Sequence, residues 1–207
     1  MLLTIPSLIV RSGCAVALRG PSGAGKSTLL HALCGLIRVA GGRVLWGGRD
    51  IAAMSDSDRA RFRRDSVGLV FQDHLLFEEL SAAGNAALPA LYAPAGTRPA
   101  IEARGAEILA RLGITDVVRP AGSYSGGERQ RIAVARAMAT DPVVILADEP
   151  TASLDRANAD RLSDDLLALT RDRGRMLIAV SHDPEFHAKA DRVIDLRDGL
   201  IVGDSDG

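Results

Sequence analysis

The residues Gly20-Pro21-Ser22-Gly23-Ala24-Gly25-Lys26-Ser27-Thr28 carry the spacing G-x-x-x-x-G-K-[ST] of a phosphate-binding loop. They follow the apolar run Ala15-Val16-Ala17-Leu18 and precede a helical pattern that opens at Lys26. In that setting the glycines let the backbone curl until successive N–H groups point inward at phosphate oxygens. The helix adds its positive N-terminal end to the same anion. Lys26 then reaches the β and γ phosphates of a nucleotide, and the Ser27 hydroxyl is placed to ligate Mg2+. A glycine- and serine-rich turn with a solvated lysine would have the same composition. Against that reading, the 25 basic residues include only two lysines, Lys26 and Lys189, so a lysine at this one position is not an accident of composition.

Two further segments could act on a phosphate. Val143-Val144-Ile145-Leu146-Ala147-Asp148-Glu149-Pro150 reads as a buried strand ending in two acids, as a Walker B element requires. An acid at the carboxyl end of a parallel strand sits beside the phosphate loop. There Asp148 can hold Mg2+ through water, and Glu149 can orient and deprotonate an attacking water. Alone, a strand with an acidic turn is commonplace; behind the upstream loop it reads as catalytic. Ser125-Gly126-Gly127-Glu128-Arg129-Gln130-Arg131 opens a helix with small residues, which leaves N–H groups and a hydroxyl at a positive helix end. Taken by itself, Gly-Gly before a helix reads equally as a flexible join.

Positioning these groups requires a sheet. Apolar runs at Val16 to Leu18, Val67 to Phe71, Val143 to Ala147, Met176 to Val180 and Val193 to Leu196 are mostly separated by helical segments. That alternation predicts an α/β fold with a mostly parallel sheet covered by helices. Arg43 to Trp46, Gly47-Gly48 and Arg49 to Ile51 read as a short hairpin, a small antiparallel part near the nucleotide end. Ser55 to Arg64 reads as a charged surface helix with Ser55 and Asp58 at capping-box spacing. Between Asp73 and Thr140 Ala-rich helical patterns broken by Pro89, Pro94, Gly96 and Pro99 replace the alternation, which predicts a helical subdomain. Its last helix begins near Gly126 and turns Ile132, Val134, Ala135 and Met138 toward a core. Arg129, Arg131 and Arg136 read as a solvated or phosphate-facing surface.

The 207 residues suit one domain spanning residues 1–207, and 47% hydrophobic residues suffice for a substantial core. With 25 basic against 26 acidic residues there is no global field to recruit nucleic acid or an anionic bilayer. Cys14 and Cys34 read as small core residues in preference to a disulfide or a metal pair. No apolar run approaches the roughly 18 residues of a membrane span. The apolar opening Met1 to Val10 lacks a basic leader and alternates like a strand, so the cytoplasm is the expected compartment.

The phosphate loop, the Ser-Gly-Gly-Glu segment, the Asp148-Glu149 pair, Ser153-Leu154-Asp155 and Ser181-His182-Asp183 occur in this order, and together they resemble the ATP-binding cassette (ABC) ATPases over nearly the whole chain. The resemblance implies a P-loop NTPase fold, ATP and Mg2+ as ligands, and ATP hydrolysis. It implies that Gln72 is the Q-loop residue that senses Mg2+ and the partner, and that Ser125 to Glu128 form the signature. Asp155 would be the D-loop acid and His182 the switch histidine on the γ-phosphate. His182 otherwise reads as a simple cap on the strand Met176 to Val180; with His187 it lacks the i, i+4 spacing of a metal pair, and no thiol lies nearby. Asp155 reads as a helix N-cap as well. The family pattern also implies that each phosphate loop faces the signature of a second subunit in a head-to-tail homodimer, or in a heterodimer with a related cassette. Each chain then holds half of each site.

Val67 to Leu76, Asn85 to Pro89 and the sequence around Ser125 to Arg131 look most like the branch of lipoprotein-release, macrolide-export and cell-division cassettes. That branch implies a separate membrane permease that holds the cassette at the inner face of the cell membrane. Leu75, Leu76 and Phe77 read either as its docking contacts or as subdomain core. The alternative function is ATP-driven signalling across the membrane without transport. A soluble cassette on DNA or ribosomes is the poorer reading, since neither a long insertion before the signature nor a second cassette is present. Family members usually stack an upstream aromatic residue on adenine. None of the 19 residues before Gly20 is aromatic. Either an upstream segment lies outside this sequence, with Leu8 to Val10 as the second strand, or apolar contacts such as Val16 hold the base.

Overall fold

The computed structural model describes residues 3–205, so Met1 and Leu2 of the apolar opening lie outside the described residues. The first strand, β1 (Ala15–Arg19), runs into the phosphate loop and the helix α1 (Lys26–Leu33). A hairpin of β2 (Leu45–Trp46) and β3 (Arg49–Asp50) follows, turning at Gly47 and Gly48, both with positive φ. Then come α2 (Asp56–Ser66) and β4 (Val67–Val70). Three helices, α3 (Ala82–Ala87), α4 (Arg98–Arg111) and α5 (Gly126–Met138), pack on one another between β4 and β5 (Val144–Asp148). The chain closes with α6 (Arg156–Arg171), β6 (Met176–Val180), α7 (Pro184–Lys189), β7 (Arg192–Arg197) and β8 (Leu200–Asp204).

The main sheet has the order β4-β5-β6-β1-β7-β8, parallel except for β8. Successive strand residues point to opposite faces, so each central strand feeds two cores. Ala15, Ala17, Ile145, Ala147, Leu177 and Ala179 join Ile132, Leu162 and Leu166 of α5 and α6 on one face. Val16, Leu18, Val144, Leu146, Ile178 and Val180 join Leu29, Leu30 and Phe62 of α1 and α2 on the other. Each such Leu or Ile, removed from water, contributes about 1.5–3 kcal/mol.

Three expectations need correction. Leu8 to Val10 form no strand: Ile9 is exposed while Leu8 and Val10 rest on the core, so the alternation tracks burial without a paired strand, and the Ile9 carbonyl accepts from the Arg192 side chain instead. Val16 is fully buried between sheet and helices and has no surface to offer a base. Nor are the arginines of α5 a solvated face. Arg131 is only 8% exposed, and Arg136 is half-buried against the backbone of residues 74 and 75. Both cysteines are free thiols, and burial pushes the Cys34 thiol up.

Candidate active site

Parallel register lines up the strand ends that carry the candidate residues. Leu18 pairs with Val180 and Val180 with Asp148, while Val70 pairs with Ala147. The loops after β1, β4, β5 and β6 therefore leave one edge of the sheet together, bringing Gly20 to Thr28, Gln72, Asp148 with Glu149, and His182 to one crevice.

The loop Gly20 to Gly25 is shaped by glycines that nothing else could replace. Gly20 has φ 149°, and a Cβ there would stand 2.0 Å from the Leu196 carbonyl oxygen. Gly25, at φ 100°, caps α1 in a left-handed conformation with no side-chain cap, leaving the N–H groups of the first turn turned to the loop. Pro21, Ser22, Gly23, Ser27 and Thr28 are exposed along this turn, and Ala24 is buried beneath it. The Lys26 side chain is 7% exposed. Its ammonium donates to the carbonyls of Gly20 and Pro21 at 2.8 and 3.1 Å, which holds the charge over the loop.

At the end of β5, Asp148 is half-buried, and its Oδ1 is buried without a hydrogen-bond partner among the described residues. A buried carboxylate oxygen without a donor is costly unless a cation or water meets it, so Asp148 with the Ser27 hydroxyl fits a hard divalent ion such as Mg2+. Glu149 adopts a left-handed φ of 48°, fixed by its N–H to the Val180 carbonyl at 3.0 Å and by the Ala152 N–H to its own carbonyl at 3.2 Å. Left-handed glutamate is strained backbone, and it aims the side chain back over the edge. There Oε1 lies 3.0 Å from His182 Nε2. The carboxylate is 16% exposed and the imidazole 57%, so His182 faces the open side of the crevice. His187 is turned away, its Nε2 2.9 Å from the Ser181 carbonyl.

The signature segment lies at the start of α5. Ser125 is the N-cap in a complete capping box: its Oγ accepts from the Glu128 N–H at 3.3 Å, and Glu128 Oε2 accepts from the Ser125 N–H at 2.9 Å. These bonds from Ser125 hold the Glu128 carboxyl below its ordinary pKa. Gly126 has open space around it, whereas a Cβ on Gly127 would stand 3.3 Å from the Asn158 side chain. Asn158 in turn donates to Asp155, which caps α6 through the Asn158 N–H at 3.0 Å. The signature and Asp155 are thus tied through one asparagine. Sequence reasoning assigns no role to Asn158 or Gln130 and takes Arg136 for a surface residue, although it is the sole charge in the apolar run Ile132 to Met138.

The phosphate-loop sequence before α1, the acid pair at the end of β5 with His182 against Glu149, and the capping box at Ser125, carried on this sheet order, match the ATP-hydrolysing cassettes. The chain belongs to the ABC transporter family, whose model matches residues 3–152. It is 44% identical over 203 residues to the lipoprotein-releasing system ATP-binding protein LolD 1 of Rhodospirillum rubrum, covering 97% of this chain and 88% of that one. It is 41% identical over 206 residues to the macrolide export ATP-binding/permease protein MacB 1/2 of Paracoccus denitrificans, covering 98% of this chain but 30% of that longer protein. Among solved structures, the dimeric post-hydrolysis state of the ATP-binding cassette MJ0796 bound to ADP and Pi superposes with a TM-score of 0.85 at 31% identity, covering 96% of this chain and 87% of that one. This chain is the ATP-binding, ATP-hydrolysing subunit of an ABC transporter, from the branch of lipoprotein-release and macrolide-export cassettes. Among the described residues no helix is long and apolar enough to cross a membrane.

Proposed function

We propose that two copies of this chain, or one copy with a related cassette, close head to tail around two ATP molecules and drive a separate permease of the lipoprotein-releasing type. The observation that carries the catalytic half is the 3.0 Å contact between Glu149 and His182 on the sheet edge that also bears the Lys26 loop. In this reading residues 20–28 bind the phosphates, Lys26 offsets the β and γ charges, and Ser27, Asp148 and Gln72 hold Mg2+. The ion, when bound, neutralises phosphate charge and orients the transferred group. Glu149 accepts the proton of the attacking water, and His182 holds Glu149 and faces the γ-phosphate. The N–H groups after Ser125 bind the γ-phosphate held by the partner, and Asp155 lies at the join between the two copies.

Residues 73–140 form the helical subdomain in this reading. Between it and α2 lies a groove of about 800 Å3 lined by the apolar Leu69, Phe71, Leu75 and Tyr92 and by arginines that include Arg61 and Arg136. Leu75 and Phe77 are 55% and 57% exposed, while Leu76 packs on the core, which divides the run between the docking and core readings. The groove fits a cytoplasmic segment of the permease, which would hold the cassette at the inner face of the cell membrane. No observation favours the signalling alternative over transport. The test is phosphate release from Mg-ATP by the purified chain, alone and with the membrane protein that co-purifies with it. Release that the Lys26→Ala variant lacks and the membrane protein accelerates is expected; release that persists in Lys26→Ala would overturn the assignment.

A further inference from the structure

Gln72 sits between two stretches of backbone that α5 holds. On one side the Gln130 amide, 1% exposed, donates to the Phe71 carbonyl at 3.3 Å. On the other, Arg136 spreads its guanidinium over two consecutive carbonyls: Nη2 donates to His74 O at 2.8 Å and Nη1 to Leu75 O. Every neighbour of Arg136 from Ile132 to Met138 is buried. Burial lowers its pKa, with no carboxylate among the described residues acting on it. A half-buried cation without an acid partner is retained only where its donors do something specific.

The carbonyls it holds belong to strained backbone. His74 and Leu75 have φ of 59° and 48°, two left-handed non-glycine residues in succession. Such a pair persists only when its surroundings over-determine it. Side-chain burial does not hold Leu75, which is 55% exposed. The His74 ring is half-buried, its Nε2 without a partner among the described residues, and makes a hydrogen bond to the Gly126 backbone. The anchors are the His74 ring on the Gly126 backbone, the short Leu75 N–H to Asp73 carbonyl bond and the two-pronged Arg136, which alone grips two consecutive carbonyls.

We propose that Arg136 is a positioning residue for Gln72. By clamping the left-handed turn at His74 and Leu75 to α5, it presents Gln72 to the phosphate crevice and keeps the Q-loop in register with the signature, which opens the same helix. This rests on the reading of Gln72 as a residue of the ATP site. Arg136 does not touch nucleotide; it acts through the backbone it holds.

The decisive variant is Arg136→Met, which keeps most of the buried stem and removes the donors. In the nucleotide-free chain, millisecond hydrogen exchange of the amides of residues 73–77 is expected to rise about tenfold, with β4 and β5 unchanged. In hydrolysis, kcat is expected to fall about tenfold and the Mg2+ concentration for half-maximal rate to rise, while KM for ATP stays within about twofold. Adding Leu75→Gly, which makes that left-handed residue unstrained and leaves the His74 bond to Gly126 in place, should restore kcat at least about threefold. Unchanged exchange at 73–77 would overturn the proposal. So would a fall in kcat that Leu75→Gly does not relieve, or one matched by an equal rise in KM. If the parent chain itself fails to hydrolyse ATP, the reading of the site fails, and the exchange measurement still decides whether the clamp exists.

Discussion

Replacing Glu149 with glutamine separates binding from chemistry at this site. The amide matches the carboxylate in shape, and its oxygen can still accept from His182 Nε2, now 3.0 Å from Oε1. The left-handed backbone at φ 48° is held by main-chain bonds to Val180 and Ala152 that the substitution does not touch. Fold and nucleotide affinity should therefore change little, by less than about 0.5 kcal/mol as for a side-chain change that leaves its contacts in place. The lost function is proton acceptance, since an amide is not basic near neutral pH. General-base catalysis contributes about 10²–10⁴ in rate, which at about 1.36 kcal/mol per tenfold corresponds to about 2.7–5.4 kcal/mol of barrier. The assay is phosphate release under saturating Mg-ATP, paired with equilibrium binding of a fluorescent ATP analogue. The expected result is a fall in kcat of at least about 100-fold with the dissociation constant within about threefold of the parent. Turnover within a few-fold of the parent would refute Glu149 as the base. Loss of binding alongside turnover would show that the carboxylate serves the ligand or the fold instead.

Three further outcomes are expected. Lys26→Ala should weaken ATP binding by at least about tenfold, because it removes the only buried ammonium over the loop; calorimetric titration checks this, and unchanged affinity would place the phosphates elsewhere. Gly68→Ala should destabilise the chain by about 1–3 kcal/mol, since its Cβ would stand 2.7 Å from the Ala137 carbonyl oxygen and 3.0 Å from Pro142; a urea midpoint equal to the parent's would contradict this contact. ATP and GTP should bind this chain within about tenfold of each other, or about 1.4 kcal/mol, because residues 3–19 contain no aromatic ring to stack on a base and phosphate contacts do not distinguish bases. Competition on the Glu149→Gln variant measures it, and a stronger preference for ATP would mean that another residue supplies the stacking surface.

The centre of the sheet was legible because β1, β5 and β6 are buried on both faces, so Ala15 to Leu18, Val144 to Ala147 and Met176 to Val180 stand out as continuous apolar segments. The strand β8 escaped notice. Its apolar run Leu200-Ile201-Val202 is short, stops at Gly203 and Asp204, and lies on the sheet edge with Leu200 and Val202 exposed; the Asp198-Gly199 turn, with both φ positive, marks the hairpin. The same asymmetry governs the site. Motif residues on the phosphate loop and at Asp148 and Glu149 announce themselves by type and spacing. The contacts that hold the motifs do not: Arg131 of α5 donates to Asn158 of α6, and Arg136 of α5 donates to the Leu75 carbonyl, through tertiary approach between segments 27 and 61 residues apart. Leu8 to Val10 show the converse error, an alternating pattern produced by lying along a core edge without any paired strand.

The split site is the central claim, and the mass of the ATP-bound species tests it most directly. In light scattering, the Glu149→Gln chain of 21.8 kDa should double its mass when ATP and Mg2+ are added. The same chain with Ser125→Arg, which fills the space before α5 where the partner's phosphate would lie, should remain a monomer under identical conditions. A mass that stays at one chain for Glu149→Gln at saturating ATP, or a doubling that Ser125→Arg does not prevent, would contradict a site completed by the signature of a second subunit.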